Sequence, residues 1–218
     1  MKKYIFIFGI TFFAAALLVC CKECDKHDPT SDCYVVDPFF DYGVVLNGIK
    51  WATRNVDSPG TFAPAPESAG KFYQWNRKVG WSAHDPLSNT SGGKEWDSTV
   101  PEGNKWNEAN DPCPAGWRVP TIDELETLED IIHDWTTING VDGEIFIDNL
   151  SGGTMFLPAA GSRYSHGGLS GFAGVDGRYW SSTRYNGTNA HYLDFYSSGL
   201  YTFNYERNSG LSVRCVAE

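Results

Sequence analysis

The pattern of apolar and polar residues predicts antiparallel β-structure towards both ends of the chain. Asn47 and Gly48 separate the apolar residues 44–46 from residues 49–52, and Asn-Gly between apolar runs is the strongest short-range signal for a β-hairpin. Residues 191–195 and 201–205 alternate with a period of two, which is typical of half-buried antiparallel strands. Further strands are predicted at residues 144–147, 154–157, 179–182 and 211–216.

One strong helix start lies in the middle of the chain. Thr121 followed by Glu124 forms a capping box, and Pro120 suits a chain that enters the helix from an extended segment. Apolar residues then recur every three or four positions, which predicts one apolar helical stripe as far as Trp135. These residues are Ile122, Leu125, Leu128, Ile132 and Trp135.

Two long segments lack such periodicity. Residues 77–110 carry Trp81, Trp96 and Trp106, which indicates a segment folded onto the domain, and residues 161–177 are rich in glycine. The predicted fold class is α+β, with antiparallel sheets, one principal helix, long loops and a C-terminal meander that returns beside the first hairpin.

The N-terminus has the features of a secretory leader. Lys2 and Lys3 precede an uncharged run that ends at Cys20 and Cys21 and is too short to span a bilayer comfortably. Leu-Val-Cys-Cys resembles a bacterial lipobox, with Cys21 the better lipidation site and Cys20 the alternative. We expect a signal peptide at residues 1–20, a tether at 21–37 and one domain at 38–218, anchored by lipid to the outer membrane and displayed at the cell surface.

Lipidation of Cys21 would leave four cysteines in an environment where disulfides persist. Four cysteines allow three pairings, and we favour Cys24 with Cys33, which are close in sequence, and Cys113 with Cys215. A metal site of Cys24, His27 and Cys33 is the alternative, but it lacks a second close-spaced ligand pair.

Charge and composition narrow the classes of partner. The formal net charge is −10, and loss of Lys2 and Lys3 with the leader would leave 15 basic against 27 acidic residues, or −12. Such a chain is unsuited to nucleic acid or anionic lipid. Aromatic residues make up 15% of the sequence, which argues against disorder.

Five segments together resemble a known family. In sequence order they are Gly48-Ile-Lys-Trp-Ala-Thr-Arg-Asn55, Asp111-Pro-Cys-Pro-Ala-Gly-Trp-Arg-Val-Pro-Thr121, Phe156-Leu-Pro-Ala-Ala-Gly161, Tyr179-Trp-Ser-Ser-Thr183 and Ser212-Val-Arg-Cys-Val216. They resemble the Fibrobacter succinogenes major paralogous domain of secreted and lipid-anchored Bacteroidetes and Fibrobacteres proteins. The resemblance runs from about Tyr42 to the end and implies a C-type-lectin-like fold, but hardly an activity.

The residues argue against catalysis. The chain has no His-Glu-x-x-His motif, phosphate loop or dinucleotide fingerprint, and its histidines lack carboxylates at diagnostic spacings. The related formylglycine-generating enzymes need reactive cysteines near the C-terminus, where only Cys215 stands. A disulfide at Cys215 would remove its thiolate, so we expect no enzyme activity.

Calcium is an open alternative rather than an expectation. The calcium loops of sugar-binding C-type lectins, Glu-Pro-Asn or Gln-Pro-Asp, are absent. Asp176, Asp194 and Asn204 have oxygen ligands that calcium accepts, but solvated turn and strand residues are the favoured interpretation. We therefore expect neither a metal site nor a cofactor.

Binding is the expected use of the surface. The loop at residues 161–177 and the turns at 184–189 and 197–200 are expected to gather at one end of the domain, where loops on a rigid scaffold recognise ligands. The candidate ligand-binding residues are Tyr164, His166, Arg184, Tyr185, Tyr201 and Trp81. Arg118 and Arg214, next to or near the paired cysteines, are expected to form buried ion pairs.

The predicted function is a non-catalytic binding or adhesion module on the cell surface, with a glycan or a surface protein as ligand. A structural or accessory subunit of a surface fibre or envelope complex is the alternative. An oxidase related to formylglycine-generating enzymes is the less favoured third reading, which a free thiol at Cys215 would revive.

Overall fold

The computed structural model describes residues 40–218, which form antiparallel strands and one short α-helix. The strands are β1 Val44–Leu46, β2 Ile49–Trp51, β3 Lys71–Gln74, β4 Gly80–Ser82, β5 Trp117–Arg118, β6 Ile132–Ile138, β7 Val141–Asp148, β8 Gly153–Pro158, β9 Asp176–Arg184, β10 Asn189–Tyr196, β11 Gly199–Glu206, β12 Gly210–Leu211 and β13 Val216–Ala217. The helix α1 is Ile122–Glu126, preceded by a 3₁₀ turn at Glu108–Asn110. The predicted leader and tether, with Cys21, Cys24 and Cys33, lie outside the described residues.

The strands form four small sheets. Their orders are β1-β2-β13-β5, β11-β10-β9, β12-β3-β4 and β6-β7-β8. The C-terminal strand β13 lies between β2 and β5, with Val216 opposite Trp51 and Arg118. The chain therefore closes on itself, as predicted, and the fold is mainly antiparallel β with one short helix.

The predicted first hairpin is confirmed. Asn47 and Gly48 have φ values of 48° and 79°, the left-handed region that a tight two-residue hairpin turn requires. The carboxylate of Asp148 accepts a hydrogen bond from the Asn47 amide at 3.0 Å, which ties this turn to the end of β7.

The predicted helix start is confirmed, but the predicted helix length is wrong. Thr121 and Glu124 form the capping box, yet α1 ends at Glu126 and Ile132–Ile138 is strand β6, paired with β7. The turn between β6 and β7 is Asn139-Gly140, with φ values of 51° and 81°. Ile132 and Trp135 therefore belong to a hairpin and do not extend the helical stripe.

Two clusters of buried side chains flank the sheet of β9, β10 and β11. The first includes Tyr179 and Phe195 and packs against the helix and the sheet of β6 to β8. The second includes Trp180 and Tyr192 and joins them to Trp75 and to Cys215. Alternate residues of β9 and β10 thus enter different clusters, as the period of two requires.

The disulfide between Cys113 and Cys215 is confirmed, with Cα atoms 6.1 Å apart and a sequence separation of 102. The expectation of buried ion pairs at Arg118 and Arg214 is wrong for both residues. Arg118 pairs with Glu124 at 2.6 Å, but both side chains are partly exposed.

Arg214 is fully buried and has neutral partners among the described residues. It donates to Asn55 Oδ1 at 2.8 and 3.0 Å and to the carbonyl oxygens of Ala52 and Phe156 at 3.1 Å. Burial lowers the pKa of Arg214 to about 10, so the guanidinium stays charged at neutral pH. Its role is to join three distant chain segments through uncharged acceptors.

Asp41 joins the start of the described chain to the residues that follow β2. Its buried carboxylate accepts the backbone amides of Gly43 and Thr53 at 2.9 Å and of Arg54 at 3.1 Å. It also pairs with the Arg54 guanidinium at 3.4 Å. The hairpin of β1 and β2 is thereby closed at its open end by one side chain.

Across residues 40–218, no helix has the length and apolar character needed to cross a membrane.

Candidate functional site

The three predicted recognition loops do not meet at one end. Strand β10 runs antiparallel to β9 and β11, so residues 185–188 and residues 197–198 lie at opposite ends of this sheet. Eight-residue strands separate them by roughly 25 Å. The expectation of a single loop cluster is wrong, because successive turns of a meander alternate between the two ends of its sheet.

Trp81 lies in the interior rather than at a binding surface. Its side chain is 3% exposed and packs against Trp96 with ring centroids 4.8 Å apart. Trp96 in turn donates from Nε1 to the carbonyl of Ser165 at 3.0 Å. The tryptophans of residues 77–110 thus fold that segment down, as predicted, and the burial of Trp81 argues against direct contact with a ligand.

Tyr164 and His166 stack on each other within the glycine-rich loop. Their ring centroids are 5.6 Å apart at an interplanar angle of 13°. Arg163 stabilises the loop, because its guanidinium donates to the carbonyl of Gly167 within the loop at 2.7 Å and to that of Ser82 at 2.8 Å. Their role in ligand binding stays a prediction.

Arg184 and Tyr185 lie at the turn between β9 and β10. Arg184 bonds the carbonyl of Asn186 at 2.6 Å and the side chain of Asn104. Tyr185 is exposed and meets His191 edge-on at 5.1 Å. Their role in ligand binding also stays a prediction, and they lie at the far end of the sheet from Tyr201.

Tyr201 belongs to the most continuous exposed aromatic group of the described residues. Tyr196 of β10 and Tyr201 and Phe203 of β11 are 37%, 42% and 50% exposed. Their ring centroids follow one another at 5.9 and 5.8 Å. We call these three rings the aromatic face.

The pairing of the strands explains why these rings share one side of the sheet. Tyr201 lies opposite Asp194, and Phe203 lies opposite Tyr192, and directly paired residues point to the same side. The same register continues into β9, where Arg178 lies opposite Asp194. On this side of the sheet Tyr192 is buried, whereas Tyr201 and Phe203, which lie on the edge strand β11, are exposed to solvent.

A charged cluster of Asp176, Arg178 and Asp194 adjoins the aromatic face. The Arg178 guanidinium lies 2.9 Å from Asp176 Oδ2, and its Nε lies 3.5 Å from Asp194 Oδ1. It also lies over the rings of Tyr205 and Phe172, at 5.3 and 5.9 Å from their centroids. The guanidinium is therefore held between two carboxylates and two aromatic rings.

Burial dominates the electrostatics of the charged cluster. It raises the pKa of Asp176 and of Asp194, although Arg178 opposes the shift at both carboxyl groups. Burial also disfavours the charged guanidinium, but the nearby carboxylates outweigh it and raise the pKa of Arg178. The ion pairing thus offsets only part of the desolvation of the two acids.

The charged cluster retains unused hydrogen-bonding capacity. Asp176 Oδ1, Asp194 Oδ1 and Arg178 Nε are buried without a hydrogen-bond partner among the described residues. The 3.5 Å approach of Arg178 Nε to Asp194 is an ion contact, but it lacks hydrogen-bond geometry. Five other buried side-chain atoms of the described residues also lack a partner, including Nε1 of Trp51 and of Trp81, so this property alone does not mark a functional site.

The alternative calcium set is not assembled. Asn204 lies opposite His191 and therefore points to the other side of the sheet from Asp194, and Arg178 occupies the space between the two acids. Within residues 40–218, no three His, Cys, Asp or Glu side chains are grouped so that they could hold a metal ion.

Two open concavities of about 540 and 680 Å³ lie elsewhere on the described chain. The smaller is lined largely by polar side chains, including Asn76, Asn107 and Asn110. The larger runs beside the disulfide and mixes Lys78 and Lys105 with acidic residues. Neither includes a residue of the aromatic face or of the charged cluster, and the aromatic face with its charged cluster has the more distinctive chemistry.

Sequence reasoning missed most of this site. It selected Tyr201 but passed over Tyr196, Phe203 and Arg178. The alternation of residues 201–205 contained the signal, because it places aromatic residues at every second position. What it could not indicate is that β11 is an edge strand, which exposes the first two of those rings.

Comparison with known families supports the resemblance seen in the motifs. The family model of the Lcl C-terminal domain matches residues 69–217, about two-thirds of the chain. No curated protein and no solved structure matches the chain. The match includes the motif segments from Asp111 onward, whereas the segment at residues 48–55 precedes it. The chain belongs to the Lcl C-terminal domain family.

Proposed function

We propose that this protein is a non-catalytic binding or adhesion module, anchored by lipid at Cys21 and displayed at the cell surface. The observation that carries the proposal is the aromatic face, three exposed rings in one row on a strand pair. Exposed apolar groups that adjoin one another, rimmed by polar residues, mark interaction sites. Aromatic residues are also the side chains most enriched at binding surfaces.

The rings are held by a rigid support, which favours recognition. Strand β10 is paired on both sides along most of its length, and β11 is paired with it over eight residues from Gly199 to Glu206. A ligand that binds rings already held in place loses less conformational entropy than one that must order a loop.

A C-type-lectin-like fold is part of the proposal. The support for it is the family match, the pairing of β13 with the first hairpin and the disulfide that joins Cys113 to the last strands. The helix is one short segment of five residues, Ile122–Glu126. The proposed C-type-lectin-like fold therefore rests on the pairing of the C-terminal strand with the first hairpin rather than on helices.

The disulfide also supports a non-catalytic role. Cys215 is bonded to Cys113, and a bonded cysteine offers no thiolate to act as a nucleophile. An oxidase of the formylglycine-generating type would need that thiolate, which makes it the weakest of the alternatives.

A structural subunit of a fibre is the second candidate, because β11 is an edge strand. An exposed edge presents unpaired backbone groups that another strand can join. In that case Tyr201 and Phe203 would cover a partner subunit instead of a ligand.

A panel-binding experiment tests the proposal. The full-length chain, purified in detergent and coupled to beads, is exposed to purified polysaccharides and extracellular matrix proteins. We expect saturable binding to at least one member, lost in the double variant Tyr201→Ser/Phe203→Ser. The matched control is Leu150→Ser, which removes a more exposed apolar side chain from the turn between β7 and β8.

The outcomes separate the two candidates. Binding that survives the double variant, or no binding to any member of the panel, would overturn the proposal. Self-assembly in detergent that the double variant abolishes, in a chain that binds no panel member, would favour the fibre subunit. Near-ultraviolet circular dichroism of each variant checks that the fold is intact.

A further inference from the structure

We propose that Asn186 is a self-modification site, where the folded chain converts this asparagine into aspartate or isoaspartate. The reacting groups are the side-chain amide of Asn186 and the backbone nitrogen of Gly187, and water is the one co-reactant. The supports are the closed turn at residues 186–189, the hydrogen-bond donors around its oxygen atoms and the contrast with the two other Asn-Gly pairs of the chain.

The reaction is an intramolecular acyl transfer. The Gly187 nitrogen loses its proton to solvent base and attacks Cγ of Asn186, so that an N–Cγ bond forms and negative charge develops on Oδ1. The Cγ–Nδ2 bond then breaks, and Nδ2 takes up protons from water and leaves as ammonia. Water opens the resulting cyclic imide at either of its carbonyl groups, which yields aspartate or isoaspartate at position 186. No atom is oxidised or reduced.

The turn folds the Asn186 side chain back towards the attacking nitrogen. Oδ1 of Asn186 accepts hydrogen bonds from the backbone amides of Thr188 and Asn189 at 2.8 and 2.9 Å, as in an Asx turn. The ring that the bond from Thr188 closes contains both Cγ of Asn186 and the nitrogen of Gly187. Reacting atoms that are held near each other react faster than the same atoms in a flexible chain.

Hydrogen-bond donors lie at the two oxygen atoms where negative charge develops. Loss of the Gly187 amide proton shifts charge onto the backbone oxygen of Asn186, which accepts from Arg184 Nε at 2.6 Å. Attack on Cγ shifts charge onto Oδ1, to which the Thr188 hydroxyl donates at 3.2 Å in addition to the two amides. Donors that are already placed at a developing charge lower the barrier to reaction.

The attacking and leaving groups of this pair are not engaged elsewhere. Across residues 40–218, neither the Gly187 N–H nor Nδ2 of Asn186 donates a hydrogen bond. Asn186, Gly187 and Thr188 are all exposed. Solvent base can therefore reach the nucleophile, and water can reach the cyclic imide.

The two other Asn-Gly pairs have the opposite arrangement. Nδ2 of Asn47 donates to the carbonyl of Thr127 at 3.2 Å, and Nδ2 of Asn139 donates to Glu67 Oε1 at 2.7 Å. In the part of the chain that the structure describes, neither Oδ1 accepts a backbone amide. The leaving group is held and the carbonyl is not polarised, so both hairpin turns should protect their asparagine.

The charges around the turn favour the product. Arg207 donates to the Gly187 carbonyl at 2.5 Å, and Arg184 donates to the preceding carbonyl. Burial, together with the nearby Arg184, lowers the pKa of Arg207. Neither guanidinium forms an ion pair with a carboxylate of the described residues. A carboxylate formed at position 186 would supply the negative charge that this turn lacks.

Peptide mapping by mass spectrometry tests the inference on the full-length chain, incubated in detergent at mildly alkaline pH. All three Asn-Gly pairs are followed in one sample, and the same chain unfolded in urea is followed in parallel. We expect Asn186 to convert about tenfold faster than Asn47 or Asn139 in the folded chain, and faster than it converts in urea. In urea the three pairs should convert at similar rates.

Two variants sharpen the test. Gly187→Ala adds a methyl group where no atom beyond the chain neighbours lies within 4 Å, so the fold should be kept while the methyl group hinders the attacking nitrogen. Arg184→Met removes the donor to the Asn186 carbonyl and should slow conversion about tenfold. In both variants the rates at Asn47 and Asn139 should stay unchanged, which is the internal control for an intact fold.

Three results would overturn the inference. Conversion of Asn186 no faster in the folded chain than in urea would show that the fold protects this residue. Equal rates at the three pairs of the folded chain would show that the turn has no special reactivity. A rate in Arg184→Met equal to that of the wild type, with Asn47 and Asn139 still protected, would remove the donor from the mechanism.

Discussion

The buried aromatic residues and the aromatic face are built from the same kinds of side chain but differ in their exposure to solvent. Inside, Trp75 Nε1 donates to the Ser181 carbonyl at 3.0 Å, Trp180 Nε1 to that of Tyr73 at 2.7 Å, and the Tyr179 hydroxyl to that of Pro158 at 2.9 Å, although Nε1 of Trp51 and of Trp81 lacks a partner among the described residues. On the surface, Tyr196, Tyr201 and Phe203 are 37%, 42% and 50% exposed.

This difference separates residues that stabilise the fold from residues that are available for binding. An aromatic ring with a satisfied polar atom gives its energy to folding, because both its surface and its hydrogen bond are already used. A ring in solvent has not yet buried its surface, so that energy is still available for binding. The following predictions test this division through the free energy of unfolding.

The largest effect is expected from the disulfide. The variant Cys113→Ser/Cys215→Ser frees a loop of about 100 residues in the unfolded chain, which predicts a loss of about 4–5 kcal/mol. Guanidinium denaturation followed by tryptophan fluorescence measures it. Wild-type chain with a reducing agent is the control and should show the same loss; a loss under about 1 kcal/mol would show that the closure contributes little.

Arg214→Met should have the next largest effect. The substitution leaves Asn55 and two carbonyl oxygens without the donor that now satisfies them, which predicts a loss of about 3 kcal/mol. Arg118→Met, which removes a partly exposed guanidinium paired with Glu124, is the control and should cost about 1 kcal/mol or less. Equal losses in the same denaturation experiment would contradict the structural role of Arg214.

Asp194→Asn should change how stability depends on pH. Burial raises the pKa of Asp194 above its usual 3.8, so the folded state holds this proton more firmly than the unfolded chain. The stability that this proton provides at low pH is lost as pH rises from about 3.8 through the higher folded pKa. The stability of Asp194→Asn relative to wild type should therefore increase with pH across that window and level off above it.

Asp97→Asn is the control of opposite sign. Hydrogen bonds from Thr99, aided by Arg77, lower the pKa of Asp97, so its carboxylate stabilises the fold above the unfolded pKa and loses that effect as pH falls. The relative stability of this variant should therefore decrease as pH rises through the lowered folded pKa towards 3.8. Denaturation curves collected between pH 3 and pH 7 would refute the assignment if both variants followed one trend.

The smallest effect on folding is expected on the aromatic face. Tyr201→Ala removes an exposed ring and should change the free energy of unfolding by about 0.5 kcal/mol or less. Tyr179→Phe removes only a buried hydroxyl that is bonded to Asn55 and Pro158, and should still cost about 1 kcal/mol. If the surface substitution proved the more damaging of the two, the division between folding and binding rings would fail.

Local signals in the sequence predicted those parts of the fold that local chemistry determines. Asn47-Gly48 predicted the first hairpin because few other pairs adopt two positive φ values. Thr121 and Glu124 predicted the helix start because the side chain of each residue accepts a hydrogen bond from the backbone amide of the other. Both signals act within four residues, so the rest of the chain cannot easily override them.

The helix end was mispredicted because the spacing of apolar residues alone does not distinguish the apolar stripe of a helix from a β-hairpin. Ile132 and Trp135 continue a three- or four-residue spacing, but Asn139-Gly140 follows them and β-branched residues surround it. A second Asn-Gly turn was therefore readable, and it would have indicated strands on both sides. Packing of β6 against β7 then prevails over the helical periodicity.

The candidate site could be predicted only in part, because it depends on the position of strands in a sheet. Alternation showed that residues 201, 203 and 205 share a side, but not that β11 is an edge or that Arg178 lies two strands away. The mistaken loop cluster has the same origin. Neither which turns meet nor which side faces water is determined by residues that are close in sequence.

The carboxylate of Asp41 has a mechanical consequence for any force applied to the chain ahead of it. A pull applied ahead of Asp41 meets three amide hydrogen bonds and an ion pair to Arg54, all converging on one side chain. These contacts would have to break before the force reaches the backbone hydrogen bonds between β1 and β2. Strands β10 and β11 belong to a different sheet, so a load on the aromatic face and a load applied ahead of Asp41 would enter the described residues through separate sets of hydrogen bonds.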